Sequence, residues 1–234
     1  MDAARGGTDV SVIVPVHRNA GTVVELYARL RATLEGERLS FQLIFVDDAC
    51  PEGSGAVLRE LARRDCRVET VSLRANVGQH RAVMVGLARA QGAWSVVMDA
   101  DLQDPPEALP ALLAKGRESD AAAVFAGRRG RYESGVRLMT SRLFKWVLHL
   151  LTGVPSDAGI FCAVNRPLVA RLVSMAGPHP FVVAMIGCAG MPMVSVPVER
   201  SPRQTGESAY SSWKRIRSAC RGIRWALEWK LRIF

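Results

Sequence analysis

The sequence predicts an α/β fold in which a mostly parallel, Rossmann-like sheet is covered by helices on both faces. In the first half of the chain, apolar runs rich in β-branched residues alternate with segments that carry apolar side chains every three or four positions. The apolar runs are nearly continuous, as is typical of strands buried on both faces, and strands separated by helices form parallel sheets. Ligands of such sheets bind beyond the carboxyl ends of the strands. The residues that follow each run are therefore candidate site residues.

The elements can be assigned in order along the chain. The predicted strands are Val10–Val16, Phe41–Val46, Val68–Leu73 and Trp94–Met98, and the predicted helices are Gly21–Leu34, Gly55–Arg64 and Gln79–Ala90. The stretch 180–198 carries no charged residue and has the length of a membrane span. Glycines and prolines interrupt it, so it is interpreted as a short buried helix followed by a strand, and no transmembrane helix is expected. Residues 1–210 are expected to form one domain, followed by a basic amphipathic helix at 211–234.

Composition and charge restrict the possible functions. Hydrophobic residues make up 49% of the chain and charged residues 23%, as in a folded globular protein. The five cysteines include no C-x-x-C pair, which favours reduced thiols over a disulfide framework or a zinc site. No apolar signal segment follows the N-terminus, so a cytoplasmic location is expected. The net charge of +9 is concentrated in residues 127–149 and 200–234, which are expected to face an anionic partner.

Polar side chains follow three of the predicted strands and are suited to bind a nucleotide. They are His17 and Asn19 after the first strand, whose last two residues are Pro15 and Val16, Asp47 and Asp48 after the second, and the D-A-D-L-Q-D-P-P-E segment that begins at Asp99 after the fourth. Asp104 precedes two prolines and is expected to cap the helix that follows. In an extended segment residues two positions apart lie on the same side, as Asp101 and Gln103 do. Asp101 and Gln103 are therefore predicted to ligate Mg²⁺ or Mn²⁺, with Asp99 near the ribose or the donor sugar.

Motifs that the sequence lacks exclude other nucleotide-binding classes. No G-x-G-x-x-G follows the first strand, as a dehydrogenase would require, and no P-loop occurs in the chain. The same missing glycine-rich loop argues against a sugar nucleotidyltransferase. A nucleic-acid-binding module is disfavoured because the basic segments are not interleaved with a recognition motif. Phosphate groups would therefore be bound by a metal ion and by arginines.

Four motifs in this order and spacing resemble those of family 2 glycosyltransferases. They are V-I-V-P-V from Val12, V-D-D-A from Val46, N-V-G-Q-H from Asn76 and D-A-D-L-Q-D-P-P-E from Asp99. The most similar branch contains dolichyl-phosphate mannose synthase and bacterial polyprenyl-phosphate glycosyltransferases. The resemblance implies a GT-A fold and an enzyme that transfers a sugar, with inversion, from a UDP- or GDP-sugar to a polyprenyl or dolichyl phosphate. It also implies a Mg²⁺ or Mn²⁺ cofactor.

The resemblance assigns expected roles to particular residues. The nucleotide-sugar is expected to contact Pro15, His17, Asn19, Asp47, Asp48, Gly78, Gln79, Asp99 and Arg203, and the metal to contact Asp101 and Gln103 with Asp99 close by. The acceptor phosphate is expected to contact Arg128, Arg129, Arg131, Ser134, Arg137 and Ser141. Arg137, Ser141 and Lys145 are each four apart and share one face of a predicted helix. Its apolar side is predicted to include Val147 and Leu150.

The chain departs from the family pattern at three places. His17 occupies the position of a family tyrosine, and Ile160 replaces an acid in a D-x-G-D-F-R motif near the acceptor. Asp157 remains as the candidate catalytic base. A phosphate acceptor needs little help from a base, so the loss of the acid favours a phosphate, while a soluble hydroxyl acceptor remains an alternative. Many bacterial relatives also continue into two membrane helices, whereas this sequence stops at Phe234.

The C-terminal segment is predicted to be an amphipathic helix. Its apolar stripe comprises Trp213, Ile216, Cys220, Ile223, Leu227, Leu231 and Phe234, and Lys214, Arg217, Arg221 and Arg224 cover another side. Such a helix is typical of peripheral association with an anionic membrane, here the inner face. The same pattern fits a helix that packs on its own domain or on a partner subunit, so both interpretations remain open.

Overall fold

The computed structural model of the chain describes residues 7–129, 135–200 and 212–233, with the side chains of all but 128–143, 212–219, 232 and 233 in these ranges. The strands are β1 (Val10–Val16), β2 (Phe41–Asp47), β3 (Val68–Ser72), β4 (Trp94–Val97), β5 (Ala123–Arg129), β6 (Cys162–Asn165) and β7 (Met193–Glu199). The helices are α1 (Val23–Gly36), α2 (Ser54–Arg64), α3 (Gln79–Leu87), α4 (Leu109–Glu118), α5 (Gly135–Thr152), α6 (Arg166–Ser174), α7 (Val182–Cys188) and α8 (Ser212–Ile233). A short 3₁₀ helix, Pro106–Ala108, precedes α4.

The strands form one seven-stranded sheet in the order β3-β2-β1-β4-β6-β5-β7. All neighbouring pairs are parallel except those of β6, which runs antiparallel to both β4 and β5. The predicted mostly parallel sheet is therefore confirmed. The reversal of β6 was not predicted, and it brings the segment before β6 to the edge where β4 and β5 end.

Helices cover the sheet on both faces, as predicted. β1 is completely buried, and its alternate side chains enter two different apolar clusters, with Ile13 in one and Val12 and Val14 in the other. Helix α3 approaches β1 so closely that a Cβ at Gly86 would overlap the side chain of Ile13. This close contact holds the N-terminus of α3 near the carboxyl ends of the central strands.

The second half of the chain confirms one prediction and corrects another. The stretch 180–198 contains α7, whose first six residues are buried, followed by β7, as the sequence predicted. Helix α5 buries Leu148, whereas Leu150, which was predicted to belong to its apolar side, is 59% exposed, so this side is not buried along its whole length. Within the described ranges, none of the helices combines the length and the hydropathy that a bilayer crossing requires.

Candidate active site at the carboxyl edge of the sheet

The carboxyl ends of the parallel strands and the amino end of β6 meet at one edge of the sheet. Val97 at the end of β4 pairs with Cys162 at the start of β6, and Phe125 of β5 pairs with Cys162 from the other side. Segment 98–104, which follows β4, and segment 157–161, which precedes β6, therefore lie side by side at this edge. The first of these segments lies at the edge that the sequence predicted for it, and the antiparallel direction of β6 brings the second to the same edge.

Asp99 is held by the helix that follows β3. Gln79, the first residue of α3, donates a hydrogen bond from its side-chain amide to the Asp99 carboxylate. The turn before α3 is fixed by Asp48, whose carboxylate accepts the backbone N–H groups of Val77 (2.7 Å) and Gly78 (2.9 Å). Gly78 has a φ of 91°, which favours glycine. Asp48 thus positions the Gly78–Gln79 turn that orients Asp99.

Four more of the residues predicted to contact the nucleotide-sugar lie at the ends of β1 and β2, namely Pro15, His17, Asp47 and Asn19. His17 Nδ1 lies 3.0 Å from the Asp48 carbonyl oxygen and 3.1 Å from the side-chain nitrogen of Asn76. Asp47 accepts hydrogen bonds from the Cys50 N–H (3.0 Å) and the Ser54 hydroxyl (3.2 Å). The other two predicted contact residues at these strand ends are Pro15, which is buried, and Asn19, which is half-buried. The structure therefore brings the first two polar strand ends together.

Asp101 lies at this edge with 9% of its surface exposed. Its carboxylate accepts the backbone N–H of Gln103 at 3.2 Å, and Leu102 between them has a φ of 59°. The Gln103 side chain is half-buried. Non-glycine residues with positive φ also follow β1 at Arg18 and β2 at Ala49. Backbone strain of this kind, of order 1–3 kcal/mol for each residue, clusters at functional sites.

Asp104 does not cap the helix after it, so that prediction is wrong. The 3₁₀ helix has Pro105 at its N-cap and no side-chain cap. The Asp104 carboxylate instead accepts two hydrogen bonds from Arg200, at 2.6 Å from Nε and 3.0 Å from Nη2. Burial acts to lower the pKa of Arg200. The hydrogen bonds to Asp104 and the negative charges of Asp104, Asp101 and Asp99 outweigh this effect, so the pKa is raised above its ordinary value. Arg200 is therefore a site residue that the sequence did not indicate, because nothing in the spacing of Asp104 and Arg200 predicts that they pair.

Asp157 lies between β5, β7 and α5. Its Oδ2 accepts a hydrogen bond from the Ser195 hydroxyl at 2.7 Å, and its backbone carbonyl accepts one from Lys145 Nζ at 3.4 Å. A Cβ at Gly127 would overlap Asp157 Oδ2 and lie 2.5 Å from Ser195 Oγ. Ser195 is therefore a further site residue that sequence analysis missed, since it lies within an apolar strand pattern.

His80, next to Gln79, secures the start of α3. Its ring lies 4.4 Å from that of Phe181, and its Nδ1 accepts the Val182 N–H at 3.4 Å. Burial lowers the pKa of His80 to about 4. The side chain is therefore neutral at neutral pH and serves the packing of α3 on α7.

The side chains at this edge have the chemistry of a binding site for Mg²⁺ or Mn²⁺. Asp99, Asp101 and Gln103 offer only oxygen ligands, which these ions prefer, and Mg²⁺ commonly takes one or two carboxylates together with substrate phosphates. No group of three His, Cys, Asp or Glu side chains in the described ranges is arranged to hold a metal by itself. The donor set therefore fits a metal ion that a diphosphate helps to ligate.

Most residues of the predicted acceptor site lie, wholly or with their side chains, outside the described part of the structure. Arg131, Ser134 and Arg203 lie outside the described residues. Arg128 and Arg129 belong to β5 and Arg137 and Ser141 to α5, but their side chains also lie outside the described part of the structure. Lys145, on the same helix, is the described basic residue that reaches the Asp157 segment.

Solved structures share this arrangement of the sheet. A mannosyltransferase from Pyrobaculum calidifontis in complex with GDP-Man and Mn²⁺ matches with a TM-score of 0.68 and 20% identity, over 94% of this chain and 64% of that one. Glucosyl-3-phosphoglycerate synthase from Mycobacterium tuberculosis, in complex with Mn²⁺, UDP and glucosyl-3-phosphoglycerate, matches with a TM-score of 0.65 and 18% identity, over 96% and 80%. The fold is that of the GT-A glycosyltransferases.

The sequence comparison identifies the family. The model of glycosyl transferase family 2 matches residues 11–167, and the chain therefore belongs to this family. The chain is 31% identical, over 88% of its length and 64% of the relative, to the undecaprenyl-phosphate 4-deoxy-4-formamido-L-arabinose transferase of Edwardsiella ictaluri. It is 29% identical, over 91% and 67%, to the uncharacterized glycosyltransferase YkcC of Bacillus subtilis. The chain spans about two thirds of the length of these curated relatives.

Proposed function

We propose that the chain catalyses metal-dependent, inverting transfer of a sugar from a UDP- or GDP-sugar to a polyprenyl phosphate. The observation that carries this proposal is the meeting of Asp99, Asp101 and Asp157 at one edge of the sheet in a family 2 chain. The relatives named as undecaprenyl-phosphate transferases support the choice of acceptor. The neighbours solved with GDP-Man or UDP and with Mn²⁺ support the choice of donor and metal.

The donor side of the reaction is assigned to the residues after β1, β2 and β4. Asp101 and Gln103 would hold Mg²⁺ or Mn²⁺, which when bound stabilises the charge that develops on the leaving diphosphate. Asp99, fixed by Gln79, would orient the ribose or the donor sugar. His17 lies over the Asp48 segment, where it would line the nucleoside. Because these groups are already fixed, little reorganisation would be needed during transfer.

The acceptor side is assigned to Asp157 and α5. A phosphate monoester carries about −1.5 to −2 charges near neutral pH and can attack the anomeric carbon with little assistance. Positions 137 and 141 share the helix face of Lys145, which reaches the Asp157 carbonyl, so this face would attract the acceptor phosphate. Asp157 would then position the acceptor rather than remove a proton from it.

The hydrogen bond from Ser195 supports a second candidate, a hydroxyl acceptor. It holds one oxygen of Asp157 at 2.7 Å, and a carboxylate fixed in this way is suited to act as a general base. A sugar hydroxyl, unlike a phosphate, needs such a base. In that case the chain would glycosylate a soluble glycan or a secondary-metabolite intermediate.

Product analysis would distinguish these candidates. The chain would be incubated with each of a series of UDP- and GDP-sugars, with or without Mn²⁺, and with a short polyprenyl phosphate or a soluble glycoside. We expect a glycosylated polyprenyl phosphate that forms only with metal. A glycosylated glycoside alone would favour the second candidate. Failure to bind any nucleotide in the presence of metal would contradict both.

Helix α8 supports a location at the membrane surface. The helix packs against α5 and α7 through Ala226, which is completely buried, and through Gly222, where a Cβ would lie 3.0 Å from the Phe181 ring. Trp225 and Trp229 stack at 5.5 Å on the same core. Helix α8 thus packs on its own domain, as one of the two interpretations of the sequence expected, but it does so through this face. Leu227 and Leu231 of the predicted apolar stripe are instead 45% and 78% exposed.

We propose that this exposed stripe rests on an anionic bilayer. Helix α5 adds Trp146 and Leu150, which are 56% and 59% exposed, and the two helices pack together. Exposed basic side chains accompany the stripe, namely Arg221, Arg224 and Lys230. Apolar side chains flanked by cations are the features of a helix that lies in the interface of an anionic membrane.

Replacing Leu227 and Leu231 together by serine is expected to reduce binding to anionic vesicles about tenfold or more, because burial of one leucine contributes about 1.5–3 kcal/mol. Co-sedimentation with vesicles measures the effect, and Val24→Ser, which changes a 53% exposed valine on α1, is the control. Equal binding by all three proteins would contradict the membrane proposal. A wild-type oligomer that dissociates in the double variant would assign the stripe to a second copy of the chain.

A further inference from the structure

The buried ion pair between Asp104 and Arg200 has no part in the mechanism proposed above. Asp104 is 1% exposed, and the Arg200 side chain is 17% exposed. Both guanidinium nitrogens that face the carboxylate donate to it, one to each oxygen. This bidentate geometry fixes the orientation of both groups as well as their distance.

The pair joins two distant parts of the sheet edge. Asp104 ends the D-A-D-L-Q-D segment after β4, and Arg200 is the first residue after β7. β6 and β5 separate these two strands in the sheet. The ion pair therefore ties the short segment between Asp101 and the 3₁₀ helix to the end of β7.

The ion pair restrains the chain next to a residue with an unfavourable backbone conformation. Leu102 has a φ of 59°, which is unfavourable for a leucine and persists only when the surroundings impose it. On one side of the turn, the Gln103 N–H donates to Asp101. On the other side, the residue after Gln103 is clamped by Arg200. The turn that carries the two predicted metal ligands is thus held by a contact on each side.

The charges agree with the geometry. Arg200 lies in the electrostatic field of Asp99 and Asp101 as well as that of Asp104. A cation that belongs to the chain therefore neutralises the buried carboxylate nearest to it. A lysine at position 200 would keep the charge but not the two-pronged contact.

We propose that Arg200 is a positioning residue, which holds Asp104 so that Asp101 and Gln103 keep the arrangement in which they bind the metal of the donor complex. This inference rests on the proposed function. It differs from a purely structural role because it predicts a specific loss of metal affinity. Loss of a contact that orients metal ligands typically weakens metal binding by 10–100-fold.

The test compares Arg200→Lys with a double variant, Arg200→Met with Asp104→Leu, in which no buried charge is left unpaired. Mn²⁺-dependent binding of UDP and GDP is measured by calorimetry, and thermal unfolding is followed in parallel. Arg29→Lys is the matched control, because Arg29 makes the same two-pronged contact to Glu107, at 2.9 and 2.7 Å, but on the surface. For both Arg200 variants we expect the Mn²⁺ concentration at half-saturation to rise about tenfold or more, and for the control to stay within about twofold.

The outcomes separate this inference from the proposed function. If the wild-type chain binds neither nucleotide with Mn²⁺, the proposed function fails, whatever the variants do. If the wild type binds but the Arg200 variants need no more Mn²⁺ than it does, the positioning role is overturned, even if their melting temperatures fall. A rise in the Mn²⁺ requirement of the two Arg200 variants, without one in the Arg29 control, supports the inference.

Discussion

Replacement of Asp101 by asparagine is expected to lower the rate of sugar transfer by about 10³-fold or more. The substitution keeps the size of a side chain that is 9% exposed but removes its charge. A metal that polarises a leaving group contributes several kcal/mol to transition-state stabilisation, and each 1.36 kcal/mol corresponds to a tenfold change in rate. The rate of transfer at saturating Mn²⁺ and donor measures the effect.

The control for this variant is Glu107→Gln, which removes a carboxylate from the same motif. The Glu107 side chain is 54% exposed and pairs with Arg29, away from the strand ends. Its activity is expected to stay within about twofold of wild type, since surface ion pairs contribute about 0–1 kcal/mol. If Asp101→Asn retains metal-dependent activity within tenfold of wild type, Asp101 is not a metal ligand.

Replacement of Gly127 by alanine is expected to lower the transfer rate by about 10²-fold and to destabilise the fold. The added Cβ would overlap Asp157 Oδ2 and lie 2.5 Å from Ser195 Oγ, so the carboxylate must leave its hydrogen bond. A catalytic group displaced by about 1 Å can lose 10²-fold in rate. Overpacking costs about 1–3 kcal/mol, which lowers the melting temperature by about 2–12 °C for a chain of this size.

Gly36→Ala controls for the exchange of glycine for alanine. Gly36 ends α1, and a Cβ there would meet no atom within 4 Å. This variant is expected to be fully active and more stable by about 0.5–1 kcal/mol, because alanine is the better helix residue. If Gly127→Ala is as active as wild type, Asp157 has no role in placing the acceptor.

The sequence was sufficient to predict the first half of the fold. β1 to β4 lie where nearly continuous apolar runs predicted strands, with bounds within about two residues. The direction of β6 could not be predicted in the same way. Cys162–Asn165 is a short buried strand, and a buried strand has the same apolar pattern whether its neighbours run parallel or antiparallel to it.

Contacts within the site could not be predicted from the sequence where the two residues are far apart in the chain. Asp104 was expected to cap the next helix, because aspartate before prolines commonly does so, whereas its partner Arg200 is 96 residues away. The packing face of α8 was missed for a different reason. It combines Gly222 and Ala226, whose small size allows close approach, with Trp225 and Trp229, whereas the steps of three and four between apolar residues select the exposed stripe.

The division of the sheet has a consequence for how such a chain can diversify. β1 to β4 form one side of the sheet, and β5 to β7, which come later in the chain, form the other. Recombination between related genes within α4 would therefore exchange β5 to β7, with the proposed acceptor residues, together and leave β1 to β4 unchanged. At the site edge, the exchanged strands would have to pair with β4 through β6. The residue at position 200 would also have to form an ion pair with Asp104, which is retained.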